Sequence, residues 1–113
     1  MAFLHALSLD ELAEAAPVRV ELDGVPVCLV RIGDSVRALH DMCSHQRWSL
    51  SDGEVSGGGV ECSLHGSTFD LATGAPSSLP ATTPVPTFAT RIVDRSVEVD
   101  VSVSTNDAPT PSY

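Results

Sequence analysis

Apolar residues fall at alternate positions through two stretches of the chain, and this period of two predicts extended strands. Residues 18–22 (VRVEL) alternate, and Asp23-Gly24 marks a tight turn after them. Residues 25–32 (VPVCLVRI) form an apolar run whose Pro26 sits near the start, where a missing donor is tolerable. Gly33-Asp34 is a second turn, and residues 35–39 (SVRAL) complete a three-stranded meander. Towards the other end, residues 87–93 (TFATRIV) and 96–103 (SVEVDVSV) predict a hairpin around Asp94-Arg95. In its second strand Val97, Val99, Val101 and Val103 face one side, and Glu98, Asp100 and Ser102 the other. One helical signal interrupts the pattern: Ser8 with Glu11 three residues on makes a capping box, predicting a short helix over 9–14 before Pro17. Residues 69–71 predict a short strand ending at the Thr73-Gly74 turn. Residues 75–86 hold four prolines, which exclude a helix and disfavour a strand, so an extended loop is expected. The fold class is all-β and antiparallel, with one domain over 1–103, a metal-binding excursion between 41 and 69, and a polar, disordered tail over 104–113.

Composition narrows the function. With 113 residues the chain suits one domain with a modest core, and its 42% hydrophobic content excludes disorder throughout. A formal charge of −9 repels phosphate backbones and anionic lipid, so neither nucleic acid nor membrane is expected as a partner. A partner with a basic patch fits better, because opposite fields speed encounter. The first residues lack a basic region followed by a long apolar run, and no stretch approaches the ~20 apolar residues of a membrane helix. The expected location is the cytoplasm, in soluble form and as a monomer. Three cysteines do not all pair, and a reducing compartment disfavours disulfides. Cys28, inside the apolar run, reads as a buried strand residue rather than a reactive thiol.

The other two cysteines carry the chemistry. Residues 43–65, CSHQRWSLSDGEVSGGGVECSLH, open on Cys-x-His and close on Cys-x-x-His. Tetrahedral zinc is one occupant of a two-sulfur, two-nitrogen set. The spacing argues against it, because zinc fingers pair Cys with Cys and place His with His on a helix, whereas here each loop supplies one of each. Two mixed loops suit a binuclear centre, with Cys43 and Cys62 on one iron and His45 and His65 on the other. Two His in place of two Cys on one iron is the Rieske arrangement. His5 and His40 read as ordinary residues, since four ligands fill the set, and the glycines at 57–59 read as a plain turn.

The stretches HDMCSHQRWSLSDGEV and VECSLHGSTFDLATG make the chain resemble the Rieske family, and within it the small ferredoxins that feed electrons to bacterial ring-hydroxylating oxygenases. The resemblance extends over roughly residues 3–103. It implies a Rieske iron–sulfur fold, with a sandwich-like base of antiparallel sheets and a small cluster-binding subdomain. It also implies a [2Fe–2S] cluster held by Cys43, His45, Cys62 and His65, with the Pro-rich segment 75–86 covering it from a third side. Two ferric ions, two sulfides and two thiolates sum to no net charge, so reduction is easier than in a four-thiolate centre. Free distal imidazole nitrogens imply a potential that depends on pH. Respiratory members of the family carry an extra cysteine in each ligand loop, joined as a disulfide; Trp48 and Leu64 occupy those positions here. Ser67 is expected to donate to a sulfide, Phe69 stands where those members have Tyr, and Trp48 is expected to plug the loops beside the cluster. Fewer donors to the sulfurs imply a potential at the low end of the Rieske range, about −150 mV. Arg47 places a positive charge beside the expected docking tip.

The implied function is a one-electron carrier, not an enzyme, meeting a flavoprotein reductase and a terminal oxygenase in small, transient encounters. A fixed small subunit of a larger redox enzyme or of an iron–sulfur assembly system is the alternative, and a structural zinc module a third. Colour separates the last of these from the first two.

Overall fold

Two faces of one strand organise the molecule. Residues 25–32 form β3 (Val25–Ile32), which lies between β2 (Val18–Leu22) and β4 (Ser35–His40). Val27 and Leu29 point into one apolar core, with Val36, Ala38, Val97 and Val99. Cys28 and Val30 point into a second, with Leu39, Leu50, Val60, Phe69, Leu71 and Val85. A strand covered on both faces has no polar side, which is why this strand is apolar without interruption from Val25 to Val30. Cys28 is fully buried, as expected, and burial pushes its thiol far above the ordinary range.

The structure is a computed structural model that describes residues 3–42, 49–56, 58–62, 68–76, 83–102 and 104–106. A six-stranded sheet runs in the order β1-β9-β8-β4-β3-β2, where β1 is Leu4–Ser8, β8 is Thr87–Val93 and β9 is Ser96–Asp100. A second sheet of three short strands holds β5 (Glu54–Ser56), β6 (Gly59–Glu61) and β7 (Thr68–Asp70), in that order. Among the described residues every pair of strands is antiparallel. The two sheets meet through the second core, so the small sheet rides on the outer face of β3 and β4.

Four differences from the sequence reading have local causes. The helix expected over 9–14 is a single 3-10 turn, Leu9–Glu11, although its capping box is present. Leu7, Leu9 and Leu12 are all buried, and the chain then runs extended so that Glu14 bridges Arg31 and the Ala15 N–H reaches the Arg31 carbonyl. Strand β1 escaped the period-two test because its register shifts between His5 and Leu7, which breaks the alternation. Asp100 does not face solvent: it is 2% exposed, and its carboxylate accepts the Ser102 N–H at 3.0 Å and the Ser102 hydroxyl at 2.5 Å. That local turn ends β9 at Asp100 rather than at 103.

The fourth difference is at the end of the chain, where order continues past residue 103. Thr105 donates its N–H to the Thr87 carbonyl at 2.7 Å. Asn106 Nδ2 donates to the carbonyls of Thr73 and Val85, both at 2.8 Å, and its Oδ1 accepts the Thr87 N–H at 3.3 Å. One side chain thus joins the turn after β7 to the start of β8, on the two sides of the Pro-rich segment. The remainder of the expected tail, 107–113, lies outside the described residues.

Candidate metal centre

Cys62 ends β6 as the first residue of the connection to β7, which resumes at Thr68. It is 1% exposed, in the second core beside Val60, Phe69 and Val85. The strands on either side pair Glu61 with Thr68 and Val60 with Phe69, so Cys62 directly follows one arm of an antiparallel strand pair. A zinc finger of the Cys-Cys, His-His kind would need a helix there. A buried thiolate is unfavourable in apolar surroundings and becomes favourable when metal takes up its charge. The placement of Cys62 therefore fits a metal ligand. Cys43, His45, Trp48, Leu64, His65 and Ser67 lie outside the described residues, so Cys62 is the one sequence-derived site residue that the structure places.

The framework around those residues is well defined. Strand β4 leads into the first candidate ligand segment, and at its end the Asp41 N–H bonds the Pro26 carbonyl at 2.9 Å. The chain returns at Ser49 and makes a 3-10 turn, Leu50–Asp52, with Leu50 buried in the second core. Asp41 joins the two ends. Its Oδ1 accepts the Ser51 N–H at 2.7 Å, and its Oδ2 accepts the Ser51 hydroxyl at 2.8 Å and Arg19 Nη1 at 3.0 Å. Arg19 Nη1 also bonds the Ser49 hydroxyl, at 3.1 Å.

Gly53, the next residue, carries this stem against the second ligand segment. A Cβ at Gly53 would overlap the carbonyl of Glu61, the residue before Cys62. The Pro-rich segment is anchored at the same place: its Pro86 carbonyl accepts the His40 N–H at 2.8 Å, and Pro76 bridges Phe69. The described residues that flank 43–48, 63–67 and 77–82 are therefore joined to one another. His40 is buried in this region, and its Nδ1 has no hydrogen-bond partner among the described residues. Burial lowers its pKa, Asp41 opposes that shift, and Arg19 adds to it.

Sequence reasoning did not single out Asp41, Arg19, Ser51, Gly53 or Asn106. The signal available for Asp41 was its position two residues before Cys43. Nothing local marked Arg19 or Asn106, whose partners lie 22 and 33 positions away.

Residues 3–89 match the family described as the Rieske [2Fe-2S] domain, and the chain belongs to that family. Its cofactor is accordingly a [2Fe–2S] cluster, and the all-β expectation holds. Among curated proteins it is similar to the ferredoxin subunit of anthranilate 1,2-dioxygenase from Burkholderia cepacia, at 45% identity over 83% of this chain and 87% of that protein. It is also similar to the ferredoxin component of biphenyl 2,3-dioxygenase from Rhodococcus jostii (strain RHA1), at 35% identity over 89% and 94%. Among solved structures, the ferredoxin of carbazole 1,9a-dioxygenase from Nocardioides aromaticivorans IC177 superposes with a TM-score of 0.85 at 34% identity, over 88% of this chain and 97% of that one.

Proposed function

We propose that this chain is the ferredoxin component of a ring-hydroxylating oxygenase system, taking single electrons from a flavoprotein reductase and passing them to the oxygenase. The observation that carries the reading is the extent of the match. Ferredoxin relatives are covered over 87% and 94% of their own length, whereas dicamba monooxygenase, a larger enzyme, is covered over 35%. A ferredoxin of similar fold has been solved in complex with the oxygenase of carbazole 1,9a-dioxygenase, at 33% identity and a TM-score of 0.81, which supports the oxygenase as one partner.

In this reading Cys43, His45, Cys62 and His65 hold the cluster, and the bound group supplies reversible storage of one electron. The protein's own part is to fix the loops and keep water from the sulfur side. Leu50, Val60, Phe69 and Val85, each fully buried, form the apolar floor beside Cys62. His45 and His65 form the contact surface, with Arg47 beside them. Docking there is brief, because two partners use the surface in turn. The protein acts as a soluble monomer in the cytoplasm. Among the described residues no helix is long and apolar enough to cross a membrane, and the large hydrophobics left exposed are Ile32, Ile92 and Val93, all on the base sheet.

The test is reconstitution. Protein refolded anaerobically with iron and sulfide is mixed with reduced reductase and a terminal oxygenase, and product formation is followed with and without it. Turnover that depends on the added chain, together with the electron paramagnetic resonance signal of a reduced mixed-ligand cluster, is the expected result. A colourless protein after reconstitution refutes the cluster, and a coloured protein that every reductase leaves oxidised refutes the carrier role.

A further inference from the structure

We propose that Asp41 and Arg19 form a charged clasp that positions the first ligand loop and biases the cluster's potential, with Asp41 as the positioning residue. The inference rests on the reading above that Cys43 and His45 are ligands. Its structural basis is the bonding of a single buried carboxylate. The Asp41 side chain is 0% exposed, and the Arg19 side chain is 42% exposed. A buried carboxylate is costly unless it is both paired and hydrogen bonded. Asp41 meets both conditions, with three donors within 3.0 Å: the Ser51 N–H, the Ser51 hydroxyl and Arg19 Nη1.

Replacing a buried ion pair by apolar residues of the same size often costs no stability, and the role assigned to this one is the geometry it selects. The geometry selected here is specific. Asp41 precedes the segment that bears Cys43 and His45, and Ser51 follows it. The carboxylate therefore closes a ten-residue span with two bonds to the same residue. Arg19, from β2 on the base sheet, reaches both ends of that span, through Asp41 and through the Ser49 hydroxyl. Its other terminal nitrogen is 3.6 Å from Glu21, whose side chain is 67% exposed. The loop is thus tied to the base by one guanidinium, and the Asp41 carboxylate lies two residues before Cys43. A negative charge beside a redox centre opposes electron entry, and its arginine partner offsets that effect.

The two halves of the clasp should therefore move the potential in opposite directions. Asp41→Asn removes the negative charge and should raise the midpoint potential. Arg19→Gln leaves the carboxylate uncompensated and should lower it. A role limited to holding the loop would move both variants the same way, since both loosen it. The experiment measures midpoint potential and the reduced-state paramagnetic resonance spectrum for reconstituted wild type, D41N and R19Q. Opposite shifts, with Ser51→Ala changing linewidth while barely moving the potential, support the clasp. Shifts of one sign, or none, in variants that retain a wild-type-like mixed-ligand signal overturn the clasp alone. Should D41N fail to load, R19Q is compared with Arg19→Lys, which keeps the charge: a potential lowered in R19Q and restored in R19K supports the clasp, and an unchanged potential in R19Q, or the same shift in R19K, overturns it. A wild-type protein without the mixed-ligand signal overturns the clasp and the ligand reading together.

Discussion

Replacing Gly53 with alanine tests how the stems of the two candidate ligand segments are brought together. Gly53 has φ −93° and ψ −166°, a conformation open to any residue, so alanine incurs no backbone strain there. The obstacle is steric. Its Cβ would overlap the Glu61 carbonyl oxygen and lie 2.8 Å from the Glu61 carbonyl carbon and 3.3 Å from the Leu50 carbonyl oxygen. Glu61 is on β6, the middle strand of the small sheet, and is paired with Glu54 on one side and Thr68 on the other. A backbone held on both sides yields little, which places the cost at the upper end of the overpacking range, about 3 kcal/mol. For a domain of this size that lowers Tm by on the order of 10–20 °C.

The least costly relief is for the Leu50–Asp52 turn to move away from β6, which separates the stem of the first ligand segment from Cys62. Iron and sulfide bound per chain should therefore fall along with Tm. Gly24→Ala is the control. Its φ of +79° is unfavourable for alanine, but no atom lies within 4 Å of the added carbon, so the cost is about 1–2 kcal/mol with full metal loading. Thermal melting of the reconstituted proteins, with iron and sulfide assays on the same samples, gives both readouts. A G53A protein that melts within a few degrees of wild type and binds a full complement of iron would refute the close approach of the two segments.

Two further outcomes are expected. Burial depresses the folded-state pKa of His40 below its unfolded value of 6.5, so at mildly acid pH the unfolded chain binds a proton that the folded chain excludes. Stability from this group is complete above that value and declines as pH falls below it. His40→Leu should flatten that part of the urea-melt pH profile at little cost at neutral pH, because Nδ1 has no hydrogen bond to lose; a wild-type slope in the variant would contradict this. Asn106→Ala removes three hydrogen bonds, two of them part-buried, and should cost about 1–3 kcal/mol in urea melts; a change below measurement error would show that the Asn106 contacts do not hold the turn after β7 to β8.

The strand over 18–22 was readable because period two is a local property, each residue's neighbours on the chain showing which face it takes, and the apolar run over 25–32 is bounded just as locally by its flanking turns. The four candidate ligands were named by residue type and spacing, which also lie along the chain. The same logic failed where a polar residue turned inward. Asp100 sits in an alternating strand and reads as exposed, yet it is buried because Ser102 satisfies its carboxylate. The 9–14 segment carries a sound capping box, but burial of Leu12 and the pairing of Glu14 with Arg31 outweigh the small free energy of a short helix.

Local pattern thus specified the strands of the large sheet other than β1, the turns between them and the donor types for the metal. Folding alone established that Asp41 faces Arg19 and Ser51, that Gly53 lies against Glu61, and that Asn106 reaches Thr73. These contacts join residues far apart along the chain. They exist because burying two apolar cores on opposite faces of β3 leaves few ways to stack the small sheet on the large one. Polar groups trapped at the seam must then find partners there, and the partners are set by the packing rather than by sequence neighbours.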